Sequence, residues 1–546
     1  MYPSQLSLHA VTKRFGARVV LDRIDLALRP GERVGIIGDN GSGKSTLLRL
    51  MSGELQSDAG EVTRAVPGGI GVLSQVLELH AVATVNDAID ACSAELRDLE
   101  RAVRAAEHGL AHLDGAALDA ALASYAEMTE RFEARDGYGA PARLDAAMSA
   151  LGVGGLDRSR SWATLSGGER SRVALAATLA ANPELLLLDE PSNDLDDAAW
   201  QWLVDRLRHH EGTVVAVTHD RAFLQVLTEV IWEVDDASVA RYGNGYAGYL
   251  VAKASERERH RLAYEAWNAE LARNRDLVTA NAGRLAAIPR KLDKPGMGTG
   301  AFRARGRDHG AMGRIRNAKE RVSRLLDDPV APPAQPLAFT PALDRPGPVE
   351  PAVAVSAAAA APLLLELCGV RVAAASVDEL QVAPGGRVLI TGRNGVGKTS
   401  LLRVIAGEQR ADAGSVTATR RIGHLRQHSG ITPTQRTLLE TYARGIRDDV
   451  DTAERRLMAL GLFHPRDLAV PVAGLSYGQR RRLELALLVS EPHELLLLDE
   501  PTNHLSPDLV EDLERALEQF GGAVMLVSHD RLMRERFHGE RLELAG

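Results

Sequence analysis

Short apolar runs recur along the chain, and each runs into a glycine-rich turn or a polar residue. Val34 to Ile37 and Val388 to Ile390 lead into glycine-rich turns, while Leu185 to Leu188 and Leu495 to Leu498 end at Asp189 and Asp499. Val214 to Val217 and Val524 to Val527 run toward His219 and His529. Runs this short and continuous predict strands buried on both faces, as in a parallel sheet. Elsewhere the period becomes helical. Leu96, Leu99 and Val103 lie in an Ala-, Leu-, Glu- and Arg-rich stretch, roughly Val85 to Gly137, that predicts a helical hairpin projecting from its domain. From Lys253 to about Ile288, Tyr264, Trp267, Leu271, Val278, Leu285 and Ile288 fall on one heptad-like stripe. No proline and only Gly283 interrupt it, so a helix of about 54 Å is expected. Its partner is Ala311 to Leu326, with Ile315, Ala318, Val322 and Leu325 inward, across a Gly/Pro-broken loop from Pro289 to Gly310. The Pro/Ala-rich stretch from Asp328 to about Ala361 reads as a flexible linker.

The apolar runs belong to a larger repeat. Gly38-Asp39-Asn40-Gly41-Ser42-Gly43-Lys44-Ser45 recurs as Gly392-Arg393-Asn394-Gly395-Val396-Gly397-Lys398-Thr399. Leu165-Ser166-Gly167-Gly168-Glu169 recurs as Leu475-Ser476-Tyr477-Gly478-Gln479, and Thr218-His219-Asp220-Arg221 as Ser528-His529-Asp530-Arg531. Ser166 and Glu190 are as far apart as Ser476 and Glu500; Glu190 and His219 are as far apart as Glu500 and His529. Two homologous α/β domains follow, 1–250 and 362–546, separated by a helical hairpin over 251–328 and a linker over 329–361. Only the span from Gln75 to Ser166 departs, being longer than Gln427 to Ser476, and the projecting hairpin accounts for the excess.

Composition adds limits. The 546 residues are 45% hydrophobic and 25% charged, ordinary for a globular chain. Two distant cysteines, Cys92 and Cys368, exclude a disulfide framework and predict a reduced, cytoplasmic setting. Met1 to Ala10 lacks the pattern of a signal peptide. The longest apolar candidate, Ala352 to Leu365, is too short to span a bilayer and is broken by Pro362. A net charge of −8 argues against nucleic acid, but the average misleads. From Arg284 to Arg324 about 12 Lys/Arg stand against 3 Asp/Glu, roughly +9 in one segment. A solvated helical face is the usual meaning of such a run. Here few acids interleave it and it surrounds a Gly-rich tip, which favours phosphate contact.

The repeated motifs carry recognisable chemistry. In GxxxxGK[ST], glycines let backbone N–H groups approach phosphate oxygens, and the following helix offers its positive end. Lys44 and Lys398 are placed to reach the β/γ-phosphates of a nucleotide, and Ser45 and Thr399 to ligate Mg²⁺. Asp189 and Asp499 would hold the same ion through water. Glu190 and Glu500 would orient and polarise the attacking water, and His219 and His529 would bond the γ-phosphate or that water.

A phosphate loop, a Gln after a strand (Gln75, Gln427), an LSGGE-type signature, an acidic strand end and a switch His, in that order, resemble the ABC ATPase family in both halves of the chain. The resemblance implies ATP and Mg²⁺ as ligands, with Gln75 and Gln427 added to the metal set. It also implies that the two domains of a monomer clamp head to tail into two composite sites. In one, the Lys44 half faces Ser476 and Gly478; in the other, the Lys398 half faces Ser166, Gly167 and Gly168. Phe15 stands where such domains stack an aromatic ring on adenine. The second copy has no aromatic near Val370 to Ala375, and Ser506 replaces Asp196.

Two such domains on one chain, joined by a basic helical hairpin, are similar to the ABC-F family, whose members work on ribosomes. The long tip and short C-terminus resemble its antibiotic-resistance branch, which protects the ribosome from macrolide-type drugs. That resemblance implies contact with ribosomal RNA and the P-site tRNA region through Arg290, Lys291, Lys294, Arg303, Arg305, Arg307, Arg314 and Arg316. Met297 and Phe302 are the matching apolar tip residues. Two other readings stay open at this point: the ATPase subunit of a drug exporter, and a general translation factor of the same family.

Overall fold

The computed structural model describes residues 5–39, 41–74, 80, 82–110, 113–193, 195–286, 316–333, 337, 339, 363–393, 395–427, 429–503, 505 and 507–544. Each copy of the repeat builds a mainly parallel sheet. In the first, the spatial order is Ile70–Leu73, Leu185–Asp189, Thr213–Val217, Arg33–Ile37, Val230–Asp235 and Ser238–Tyr242, with only the last pair antiparallel. In the second it is Ile422–Leu425, Leu495–Asp499, Ala523–Val527, Arg387–Thr391 and Glu540–Glu543, all parallel. Each copy adds a three-stranded antiparallel sheet, centred on Leu6–Phe15 in one and Leu365–Val372 in the other.

The leucine runs are continuous because both faces of the strand are covered. Leu186 and Leu188 pack into the helical layer, whereas Leu185 and Leu187 pack beneath the antiparallel sheet. Leu496 and Leu498 divide from Leu495 and Leu497 in the same way. All eight are between 0 and 1% exposed. Each contributes on the order of 1.5–3 kcal/mol by leaving water. A polar residue is tolerated only where the strand emerges.

Several expectations shift at the boundaries. Val85–Cys92 belongs to the common core: Thr84 caps it with a capping box, as Thr437 caps Leu438–Ile446 in the second copy. The extra length of the first copy lies instead in Ala94–Leu110 and Gly115–Ala134, which pack on each other through Leu96, Val103 and Phe132. The long helix begins at Gly245 rather than Lys253 and runs to Ala286. Tyr246 and Tyr249 root its first turns against Ile37, Leu224 and Ile231, so 250/251 falls inside one continuous helix. Its partner is helical over 316–327. Ala318 and Leu271 are buried, Trp267 Nε1 donates to the Leu325 carbonyl at 3.0 Å, and Arg321 pairs with Glu270 at 2.6 Å.

The stretch after the hairpin is anchored where it was expected to be free. Leu337 and Phe339 are only 5% and 7% exposed, in the second domain's core, with Phe339 edge-on to Phe520. A linker needs no apolar anchors; this one carries two.

The halves meet through arginines. Arg221, its side chain fully buried, donates to Glu511 at 2.9 Å, to Asp530 at 3.0 Å and to Glu514, all in the second domain. Arg531, its counterpart, reaches Asp197 at 3.0 Å and Asp220 at 3.4 Å in the first, and lies over the Trp200 ring. The exchange has approximate two-fold character. Arg257 of the long helix adds a bond to Asp512 at 3.2 Å. Among the described residues, no helix is long and apolar enough to cross a membrane.

Replacing Arg221 with Ala leaves Asp530 without its buried cation and Glu511 and Glu514 with Arg536 alone. The expected destabilisation of the full chain is about 3 kcal/mol or more, read as a lower thermal midpoint. Arg257→Gln, at a more exposed contact, is expected to lose under about 1 kcal/mol.

Candidate ATP sites at the domain interface

The parallel strands of each sheet deliver their functional residues to one edge. Past Arg33–Ile37 the chain turns through Gly38 and Gly43, at φ +144° and +116°, into the helix Lys44–Ser52. A Cβ on Gly38 would lie 2.3 Å from the Val234 carbonyl oxygen, so only glycine fits. Gly392 and Gly397 repeat this geometry, at φ +144° and +111°, before Lys398–Ile405. Lys44 Nζ donates to the carbonyls of Gly38 at 2.7 Å and Asp39 at 2.9 Å. Lys398 Nζ donates to those of Gly392 at 2.7 Å and Arg393 at 3.3 Å. Burial lowers the Lys44 pKa, opposed by Glu190, Asp39 and Asp189.

At the ends of the leucine strands, Glu190 and Glu500 adopt left-handed backbone, φ +53° and +49°. A glutamate gains nothing intrinsic from this conformation, so the surroundings must impose it. The Glu190 and Glu500 amides donate to Val217 and Val527 carbonyls at 2.8 and 2.9 Å. Their carboxylates accept from the amides of His219 at 3.4 Å and His529 at 2.9 Å. The imidazole Nε2 atoms stand 3.8 and 3.5 Å from the other carboxylate oxygen. Burial pushes both glutamates up to about 7, against the pull of nearby Lys44 or Lys398.

Asp189 and Asp499 are raised by burial as well, with the hydroxyls of Ser45 and Thr399 favouring their charged forms. A buried carboxylate beside a hydroxyl and an open cleft is a donor set of hard oxygens. It suits a small divalent cation that keeps most of its water.

One cleft, of about 1120 Å³, joins the two domains. Phe15, Lys44, Ser45, Asp189, Glu190 and His219 line it from the first copy, and Gly392, Arg393 and His529 from the second. Phe15 is half exposed, with Lys13 Nζ 5.8 Å from its ring centroid. Ser166, Gly168, Ser476 and Gly478 do not line this cleft. The two serines cap their own helices: each accepts from the residue three positions on, at 3.2 Å. Ser166 also gives its hydroxyl proton to Glu169 at 2.9 Å. The head-to-tail approach is carried instead by Arg482, from the second signature helix, on Asp39 of the first phosphate loop at 2.8 Å. Val396, expected among the phosphate-loop contacts, turns its side chain into the core. Gln427 accepts a bond from Tyr477 Oη on its backbone carbonyl at 2.9 Å. Gln75, Asn40 and Asn394 lie outside the described residues, as do the side chains of Arg290, Lys291, Lys294, Met297, Phe302, Arg303, Arg305, Arg307 and Arg314. Arg316 is described and exposed, 3.8 Å from Glu320.

Sequence reading gave no role to three arginines that the structure makes central. Arg221 and Arg531 were visible as the repeated residue after His-Asp. Arg481 was not: its copy-one equivalent is Ser171, yet it is buried and donates to the Asp499 and Glu500 carbonyls at 3.1 and 2.9 Å.

Phosphate loops, acidic strand ends and the motif histidines thus sit on one edge of each sheet, those of the first copy opening into the interdomain cleft together with Gly392, Arg393 and His529 of the second. A family profile described as "ABC transporter" matches residues 21–193 and 376–503. The chain belongs to the ABC ATPase family. It is 57% identical to the tylosin resistance ATP-binding protein TlrC of Streptomyces fradiae, over 99% of this chain and 97% of that one. It is 31% identical to the energy-dependent translational throttle protein EttA of Escherichia coli K12, over 95% and 88%. These tandem relatives place it in the ABC-F branch, and the chain is an ATPase. A solved structure titled "RNase-L Inhibitor" shares the fold at a TM-score of 0.54 and 18% identity, over 99% of this chain and 88% of that one.

The raised glutamates predict a pH profile. A carboxylate must lose its proton to act as a base, so kcat/KM for ATP is expected to rise with pH through an apparent pKa near 7. The limb should vanish together with most activity in Glu190→Gln/Glu500→Gln; a profile flat from pH 5.5 to 8.5 contradicts the assignment.

Proposed function

We propose that this ABC-F ATPase binds the ribosome and protects translation from a macrolide-type antibiotic, using ATP to drive binding and release. The observation that carries this reading is the 57% identity to a tylosin resistance protein along nearly the whole of both chains. Such length includes the hairpin as well as both ATPase domains, so it covers the device and its motor together.

In this reading the phosphate loops, Gly38 to Ser45 and Gly392 to Thr399, grip ATP through backbone N–H groups and Lys44 or Lys398. Ser166, Gly167, Gly168, Ser476 and Gly478 complete each site from the opposite domain. Mg²⁺, held by Ser45 and Asp189 or by Thr399 and Asp499, with Gln75 or Gln427, would neutralise phosphate charge. Glu190 and Glu500 take a proton from the attacking water, and His219 and His529 steady it. Their buried setting leaves each carboxylate near its midpoint at neutral pH, able to accept that proton. The basic flank of the hairpin, Arg290 to Arg316, meets ribosomal RNA and the P-site tRNA region. Met297 and Phe302 at the tip approach the drug. The protein works inside the cell as a monomer whose own two domains pair.

Glu190→Gln with Glu500→Gln is expected to trap the protein on ribosomes when ATP is added, scored by co-sedimentation; free migration under ATP overturns the proposal. Its affinity should fall on the order of 10³-fold between 50 and 200 mM salt if six or more phosphates are contacted. Expression in a sensitive host should raise the macrolide concentration tolerated. Unchanged sensitivity, with ribosome trapping intact, assigns a general translation role instead.

A further inference from the structure

The two ATP sites differ in one pair of charges that the motifs do not define. Asp39 and Arg393 occupy the same place, the second residue of their phosphate loops. Arg482 and Arg172 likewise correspond, six residues beyond the signature serines Ser476 and Ser166. Across the site that contains Lys44, Arg482 Nη1 meets Asp39 at 2.8 Å, and its guanidinium lies 5.9 Å from the Phe463 ring centroid. Across the site that contains Lys398, the corresponding residues are both cations. Arg172 and Arg393 both line the interdomain cleft, which extends from the Lys44 site to the start of the second phosphate loop at Gly392. Arg172 donates to the Gly168 carbonyl at 3.2 Å, and Arg393 has no acidic partner among the described residues.

Opposite charges in contact hold two surfaces together without a ligand, whereas like charges at the matching place push them apart. Only an anion between the two arginines reverses that push. The ligand of an ABC ATPase site is a polyphosphate bearing about four negative charges as ATP and one fewer as ADP, and guanidinium groups bind phosphate oxygens in bidentate fashion. We propose that Arg172 and Arg393 are additional phosphate-binding residues of the Lys398 site, and that the two sites close by different rules. The Lys44 site is latched by Asp39–Arg482 before nucleotide arrives. The Lys398 site stays apart until the triphosphate bridges its two arginines, and it reopens most readily when the γ-phosphate leaves. This inference rests on ATP binding alone and is independent of the ribosome.

The test uses the full-length purified chain without ribosomes. A spin-label pair spans each site, placed on exposed residues outside the motifs. Distances are measured without nucleotide, with ADP, and with ATP in the Glu190→Gln/Glu500→Gln background. The Lys398-site distance is expected to shorten with ATP and much less with ADP, and the Lys44-site distance to change little. Without nucleotide, raising salt from 0.05 to 0.5 M should loosen the Lys44 site and tighten the Lys398 site, two effects of opposite sign. Arg393→Asp should close the Lys398 site in the absence of ATP while raising the KM of the ATPase about tenfold, and Arg393→Lys, which keeps the charge but not the bidentate grip, should keep the ATP-dependent closure with a smaller rise in KM. Asp39→Arg should open the Lys44 site, and adding Arg482→Asp should close it again. Arg393 is exposed, so its variants are expected to fold, which their thermal midpoints check. The proposal is overturned if the sites show equal distances and equal salt responses without nucleotide. It is overturned equally if folded Arg393→Asp changes neither closure nor KM.

Discussion

A strand covered on both faces has one place for charge, and that is where it ends. Leu185–Leu188 and Leu495–Leu498 are sealed between a helical layer and an antiparallel sheet, so Asp189–Glu190 and Asp499–Glu500 emerge together at the rim. Their neighbours in the sheet are parallel and end on the same edge, bringing the lysines of the phosphate loops and the switch histidines beside them. The geometry of the candidate site follows from this convergence. It also explains the chemistry of the glutamates, which remain buried at the rim, Glu500 being only 2% exposed, so that burial holds their protons more tightly.

The candidate edge is legible in the sequence because its chemistry demands particular residues at particular spacings, twice. Glycines at left-handed φ, a lysine, a strand-end aspartate and a histidine can all be read without coordinates. Much of what joins the domains could not. Glu511 and Glu514 read as the solvated face of an amphipathic helix, and nothing local reveals that a buried Arg221 from the other domain lies against them. Leu337 and Phe339 sit in a Pro/Ala-rich stretch whose composition signals freedom, yet two apolar side chains are enough to fasten it. The inserted arm is legible from its helical period, but its start at Ala94 is not, because Val85–Cys92 continues the same apolar pattern. The capping boxes at Thr84 and Thr437 were a usable signal, because matched caps mark matched helices.

The helix Pro507–Gln519 is where these joints meet. Arg221, one residue past the His219-Asp220 switch, occupies Glu511 and Glu514; Arg536 shares the same pair at about 3.0 Å. Between them in sequence Asp512 receives Arg257 from the long helix, and beyond the helix end Phe520 receives Phe339 from the chain leaving the hairpin. The switch loops, the second domain and both ends of the hairpin thus share one short acidic element. Its carboxylates look ordinary in sequence, and their importance comes wholly from what lies opposite.

The rooting of the long helix has a mechanical consequence. Tyr246 and Tyr249 fix its first turns in the first domain, and its 42 residues then extend for about 63 Å at 1.5 Å each. A rod of that length tilted by about 5° at its base sweeps its far end through about 5 Å, the pitch of a helical turn. Small adjustments between the two motor halves therefore arrive at a distance as displacements large enough to reposition a side chain, with no need for the rod itself to bend.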